Sequence, residues 1–199
     1  MPLQFLRLPV GPIRANCWIA WSDGSNSALV IDPGEEADHI LDALRVRELV
    51  PVAILVTHGH FDHLGAVAGV ARASGSPVYI PRSEAPALSD WTAEHLLDGG
   101  ERLELGPFAV DVLAVPGHSE GHVAYVVEGA LFSGDVLFAG SVGRTDLPGG
   151  DWPTLRATLE RLAAALPPDT PVLPGHGEAT TLGAEAATNP FLAGIGAGG

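Results

Sequence analysis

Residues 54–65 read "ILVTHGHFDHLG": an apolar run that breaks into three histidines and an aspartate, His58, His60, Asp62 and His63, spaced H-x-H-x-D-H. Imidazole and carboxylate are the side chains that bind divalent metals near neutral pH. At this chain's own histidine frequency, such a pattern arises by chance on the order of once per thousand chains of this length. The apolar run has the length and residue types of a buried strand, so the stretch predicts a strand that ends in a metal site.

Three more apolar runs end in the same way. "VLAVP" leads to Gly117-His118, "ALFSG" to Asp135 and "PVLPG" to His176. If these runs are neighbouring strands, their ends converge on one rim of a sheet, where rigid strands hold exposed loops in place. Five imidazoles and two carboxylates suit zinc, iron or manganese. Seven ligands exceed one tetrahedral ion but fit two ions that share a carboxylate and a water about 3.5–4 Å apart, an arrangement that makes a nucleophile of the water. His122, in "GHSEGH", reads as a support for the ligands rather than a ligand. His39 and His95 stand alone and read as ordinary histidines.

The chain has 199 residues, 46% of them hydrophobic and 17% charged, which predicts one globular domain over residues 1–199. Further strand-like runs cover residues 17–21, 28–32, 77–81, 108–115 and 122–127. Ala37, Ile40, Leu41 and Leu44 have helical spacing, as do Leu155, Leu159, Leu162 and Leu166 behind the start signals Asp151 and Pro153. A weaker helix is expected over 64–73, and "GIGAGG" at 194–199 is expected to fray. Strands mixed with helices predict a layered α/β protein.

The formal charge is −14, and all ten basic residues are arginines. No basic cluster offers a surface to nucleic acid or anionic lipid. The absence of lysine excludes Schiff-base chemistry. No apolar run is long enough to span a bilayer, and the start of the chain lacks the pattern of a secretion signal, so a cytoplasmic location is expected. Cys17, the single cysteine, reads as a small buried residue. Core packing is expected for most of Trp18, Trp21, Trp91 and Trp152.

With these motifs in hand, the chain resembles the metallo-β-lactamase-fold hydrolases over nearly its whole length. The resemblance implies a four-layer αβ/βα sandwich, two mixed sheets flanked by helices, with two divalent ions at the edge between the sheets. Zinc comes first, with iron or manganese as alternatives. It assigns one ion to His58, His60, His118 and Asp135, and the other to Asp62, His63, Asp135 and His176, with Asp62 and Asp135 also acting in catalysis. His60 stands where flavo-diiron proteins carry glutamate. "LFSGDVLF" supplies a bridging Asp135 that true β-lactamases lack, and no room exists for the inserted domain of RNA-processing relatives. "GRTDLPGGD" (143–151) and "PGHGEATTLGAEAATNPF" (174–191) resemble short bacterial relatives of glyoxalase II.

Full-length glyoxalase II carries a helical C-terminal domain for glutathione, and this chain stops soon after Phe191. Arg144 and Asp146 replace a lysine and a tyrosine of that enzyme, and Arg144 could pair with a substrate carboxylate. The resemblance implies hydrolysis of a small anionic acyl thioester such as S-lactoylglutathione. Two alternatives remain open: a persulfide dioxygenase with one iron on His58, His118 and Asp135, suggested by "PGHS" and "GRTD", and a metal-binding module without catalysis.

Overall fold

A computed structural model of the chain describes residues 3–192. The expectation for 194–199 lies outside the described residues. The elements run β1 (Leu3–Val10), β2 (Ala15–Ser22), β3 (Ser27–Ile31), α1 (Ala37–Val46), β4 (Val50–Leu55), α2 (Phe61–Leu64), α3 (Val67–Ser74), β5 (Val78–Pro81) and β6 (His95–Leu97). After these come β7 (Arg102–Leu105), β8 (Phe108–Ala114), β9 (Val123–Val127), β10 (Ala130–Gly134), β11 (Leu137–Phe138) and β12 (Ser141–Val142). The chain continues through α4 (Trp152–Ala165), β13 (Pro171–Pro174), β14 (Thr180–Thr181) and α5 (Leu182–Thr188).

Two mixed six-stranded sheets form, in the orders β1-β2-β3-β4-β5-β6 and β14-β13-β10-β9-β8-β7. The alternation of side chains along each strand builds three apolar layers from them. On β2 to β4, Cys17, Ile19, Val30 and Ile54 face α1 and α3, where they meet Ile40, Leu44, Val67 and Val70. Their neighbours Trp18, Ala20, Leu29, Ile31 and Leu55 face the second sheet and meet Phe108, Val110, Tyr125 and Phe132. On the far side of that sheet, Ala124, Leu131 and Val172 pack on Leu155, Leu159 and Leu162 of α4 and on Leu182 of α5. The result is the helix–sheet–sheet–helix sandwich that the sequence resemblance implies. Because both faces of the central strands are covered, they read as unbroken apolar runs instead of alternating ones.

The structure corrects two local expectations. The four ligand-bearing runs do not share one sheet: β4 belongs to the first, while β8, β10 and β13 belong to the second. The helix expected over 64–73 is two helices, α2 and α3, with Gly65 and Ala66 between them. Most of the tryptophans pack on the core, as expected: Trp18 is buried and Trp21 and Trp91 pack against it, while Trp152 is exposed and meets Phe191 edge-on. Cys17 is fully buried, as expected, and Asp151 caps α4 through the Thr154 backbone N–H at 2.9 Å. No described helix is long and apolar enough to cross a membrane.

Candidate metal centre

Each predicted ligand sits just past the end of a strand, and the two sheets meet there edge to edge. β4 hands the chain to His58 and His60, and the single turn of α2 then presents Asp62 and His63 inward while Phe61 faces solvent. His118 and His122 lie on the loop between β8 and β9, joined to the first sheet where the Val123 N–H donates to the Thr57 carbonyl at 2.9 Å. β10 and β13 are parallel neighbours with Gly134 opposite Pro174, so Asp135 and His176 leave the same edge side by side.

All seven predicted ligands come together. His118 Nε2 lies 2.9 Å from His60 Nδ1 and 3.5 Å from Asp135 Oδ2. His63 Nε2 lies 3.4 Å from Asp62 Oδ2 and 3.5 Å from Asp135 Oδ1. His176 Nε2 is 3.3 Å from Asp62 Oδ2 and 3.4 Å from Asp135 Oδ2. Three compact sets could hold an ion: Asp32 with His58 and His63 shares its histidines with the other two, His58 with His60 and His118, and Asp62 with His63 and His176. The Asp135 carboxylate reaches members of the last two. His58 and His63 are fully buried, while His60 and His176 are only partly covered, so the cluster opens to solvent on their side.

The partners of each ring set its tautomer. His118 donates from Nδ1 to the Arg144 carbonyl at 2.7 Å, which leaves Nε2 free to face the cluster. His58 Nδ1 meets Thr57 Oγ1 at 2.9 Å; that hydroxyl donates onward to Asp32 Oδ2 at 2.7 Å, so His58 also turns Nε2 inward. His63 donates from Nδ1 to Asp32 Oδ2 at 3.0 Å. His122 accepts the Asp135 backbone N–H on Nε2 at 3.1 Å and stacks on the His58 ring at 4.6 Å. It therefore braces two ligands from behind, with burial pushing its pKa down to about 3.

These residues fit a divalent metal. His58 Nε2, His63 Nε2 and Asp135 Oδ1 are buried polar atoms without a hydrogen-bond partner among the described residues, a costly state that an ion would relieve. A Cβ at position 175 would stand 2.1 Å from Asp135 Oδ1, so glycine keeps that space clear. The electrostatics also favour a cation. Burial alone would lower the His63 pKa, yet the Asp135 and Asp32 carboxylates hold it well above the ordinary value. His176, beside Asp135 and Asp62, is raised to about 9. Protons and metal ions compete for such a place.

Arg144 splits its roles. Its carbonyl supports His118, while its exposed guanidinium is held by Asp146 through two contacts of 2.7 Å. The tail motif has a structural use. Glu185 is buried and accepts from Gly140 N–H at 2.8 Å, Thr180 Oγ1 at 2.7 Å and Asn189 Nδ2 at 2.8 Å, docking α5 onto the β11–β12 hairpin. That hairpin sets Phe138 against His176. His39 and His95 lie outside the cluster, and His95 stacks on Tyr79 at 4.2 Å.

Sequence reading missed two carboxylates. Asp32, buried behind His58 and His63, ends the run "ALVID" just as the ligands end theirs, and the same rule applied there would have found it. Glu84 accepts Gly59 N–H at 3.1 Å on one oxygen and Gly121 N–H at 2.9 Å on the other, clasping two ligand-bearing loops together. No motif marks it.

Residues 10–176 match the metallo-β-lactamase superfamily. The chain belongs to that superfamily. Within the superfamily, the probable metallo-hydrolase YqgX of Bacillus subtilis is 40% identical, over 97% of this chain and 99% of its own length. Hydroxyacylglutathione hydrolase GloC of Haemophilus influenzae is 33% identical over 93% of this chain and 96% of its own. Solved metallo-β-lactamase-fold structures include the BLEG-1 B3 metallo-β-lactamase, with a TM-score of 0.91 and 40% identity over 95% of this chain and 99% of that one. TTHA1623 in a di-iron-bound form has a TM-score of 0.80 at 42% identity, over 94% of this chain and all of that one. ETHE1 from Myxococcus xanthus reaches 0.87 at 27% identity, over 96% and 85%.

Proposed function

We propose that the chain is a metal-dependent hydrolase of small acyl thioesters, of the hydroxyacyl-thiol type of which S-lactoylglutathione is an example. The position of Asp135 carries this reading, because one carboxylate oxygen lies within 3.5 Å of both His118 Nε2 and His176 Nε2. His58, His60, His118 and Asp135 would hold one divalent ion, and Asp62, His63, Asp135 and His176 a second. Zinc is the first choice, with iron or manganese as alternatives. When bound, such a pair supplies a water-derived nucleophile at neutral pH and positive charge for a carbonyl oxygen.

The chain's own residues do the positioning. Asp32 and the Arg144 carbonyl fix the ring tautomers, so that lone pairs face inward before any ligand arrives. Substrate enters on the side of His60 and His176. A thiolate leaves with little help from an acid, since an ordinary thiol has a pKa of about 8.5. The hydroxyacylglutathione hydrolase among the relatives supports the thioester class.

A β-lactam amide is the second reading, suggested by the neighbour named as a B3 metallo-β-lactamase and opposed by Asp135, the bridging carboxylate that true β-lactamases lack. The deciding experiment measures metal content per chain on freshly purified protein, alongside hydrolysis of S-lactoylglutathione and of a penicillin. Two ions per chain with thioester turnover is the expected result. Penicillin turnover alone transfers the function to the second reading. One iron per chain, with oxygen uptake on glutathione persulfide, makes it a dioxygenase on the same fold. Full metal loading without any turnover leaves a binding module.

A further inference from the structure

We infer that Arg14 is the anchor for a substrate carboxylate, placed beside the metal-ligand cluster by the first β-hairpin. Of the ten arginines, nine have a hydrogen-bond or ion-pair partner among the described residues: Arg7 with Glu178, Arg45 with Asp42, Arg82 with Asp98, Arg102 with Asp111, Arg144 with Asp146, Arg156 with Glu160, and Arg47, Arg72 and Arg161 on backbone carbonyls. Arg14 has none among those residues. In a chain with 24 acidic residues, an unpaired guanidinium is the exception.

Its position gives the exception a use. The turn from Gly11 to Arg14 closes β1 onto β2, with Arg14 at φ 55° donating its N–H to the Gly11 carbonyl at 3.1 Å. Arg14 and the exposed Ile13 line a cavity of about 250 Å³ that His176, Arg7 and Glu178 also line. The hairpin is fastened to the loop that carries this histidine. Asn16 donates its backbone N–H to the Gly175 carbonyl at 2.7 Å and its amide to the Pro174 and Gly177 carbonyls, each at 2.9 Å. Trp18 Nε1 adds a fourth bond to the Pro174 carbonyl at 2.9 Å. Arg14 and His176 are thus held by one laced unit. Glu178, the acid in the cavity wall, is already taken by Arg7 at 2.7 Å and does not compete.

A planar guanidinium with free N–H donors matches a carboxylate. The ligand is an acyl thioester that carries a carboxylate; Arg144, bound to Asp146, is not the anchor. This assignment rests on the hydrolase reading for the nature of the substrate, but its test does not. The probe is S-methylglutathione, a thioether with two carboxylates and no thioester to hydrolyse, compared by calorimetry with its diethyl ester on the metal-loaded full chain.

Wild type should bind the acid about tenfold more tightly than the ester, the contribution of one charge-assisted pair. Arg14→Gln should abolish that preference, and Arg14→Lys should keep part of it. Arg45→Gln, which makes the same charge change on α1, should behave as wild type. The inference is overturned if wild type fails to discriminate acid from ester, or if Arg14→Gln still does. Thioester turnover measured on the same samples separates the two ideas. Selective binding without turnover sinks the hydrolase reading alone; turnover with KM unchanged in Arg14→Gln sinks the anchor alone.

Discussion

Asp32 is buried, holds a left-handed backbone at φ 51° and accepts three hydrogen bonds, two from Thr57 and one from His63. It thereby aims two imidazoles with one side chain. Asp32→Asn keeps the size and tolerates the backbone conformation, but its amide N–H₂ must confront a donor. Metal affinity, read by competition with a chelator, should fall roughly 10–100-fold. A second residue-scale prediction concerns pH. Burial raises the pKa of Cys17 above its usual 9.0 and that of Tyr125 above 10.0. Each group is neutral in both states below its unfolded pKa, so its contribution to stability is intact there; above that pH only the unfolded chain ionises, and stability is lost. Wild-type unfolding free energy in urea should decline from about pH 9, by up to about 1.4 kcal/mol per pH unit for each group. Cys17→Ala should postpone the decline to about pH 10, and with no lysine in the chain no side-chain amine titrates there.

Among the elements, the loops are tuned by contacts that no sequence window contains. Glu84, just after β5, joins the loop after β4 to the loop before β9 through Gly59 and Gly121. A Cβ on Gly59 would lie 2.6 Å from the Glu84 carboxylate, so the glycine is a condition of the clasp. Glu84→Gln retains one acceptor for two N–H donors, and should weaken metal binding at the His58, His60 and His118 set roughly tenfold while thermal stability stays close to wild type. Equal loss at both sets, seen in a stepwise cobalt titration, would refute the assignment. The same contrast explains what could be read in advance. The candidate ligands after β4, β10 and β13 were legible because each follows an apolar run with both faces buried, and α4 because its leucines repeat at helical spacing behind Asp151. Strand β1 mixes Arg7 and Pro9 into its length, and β6, β7 and β14 have two to four residues each, too short to establish a period. Asp32 lay in plain view at the end of the strand-like run 28–32 but outside any histidine motif, and Glu84 acts only across 25 and 37 positions of chain.

At the scale of the whole molecule, the three apolar layers stand apart from the metal-ligand cluster, which lies at the edge where the sheets meet. A core of this extent should hold the fold without metal, unlike a small zinc domain. Treatment with a chelator should leave the far-ultraviolet circular dichroism unchanged and lower Tm by roughly 10 °C, the mass-action contribution of a tightly bound ion to a domain of this size. Complete unfolding on chelation would show that the layers are weaker than their burial implies. The lacing of the first hairpin to the loop of His176 has a consequence for synthesis. Asn16 and Trp18 meet Pro174 across 158 and 156 positions of chain. Strand β2 leaves the ribosome early and must wait for nearly all of the remaining sequence before its partner emerges, and contacts that distant form late in folding. The first hairpin therefore takes its place against the loop of His176 only after β13 has joined the second sheet, so the cluster reaches its final geometry late in folding.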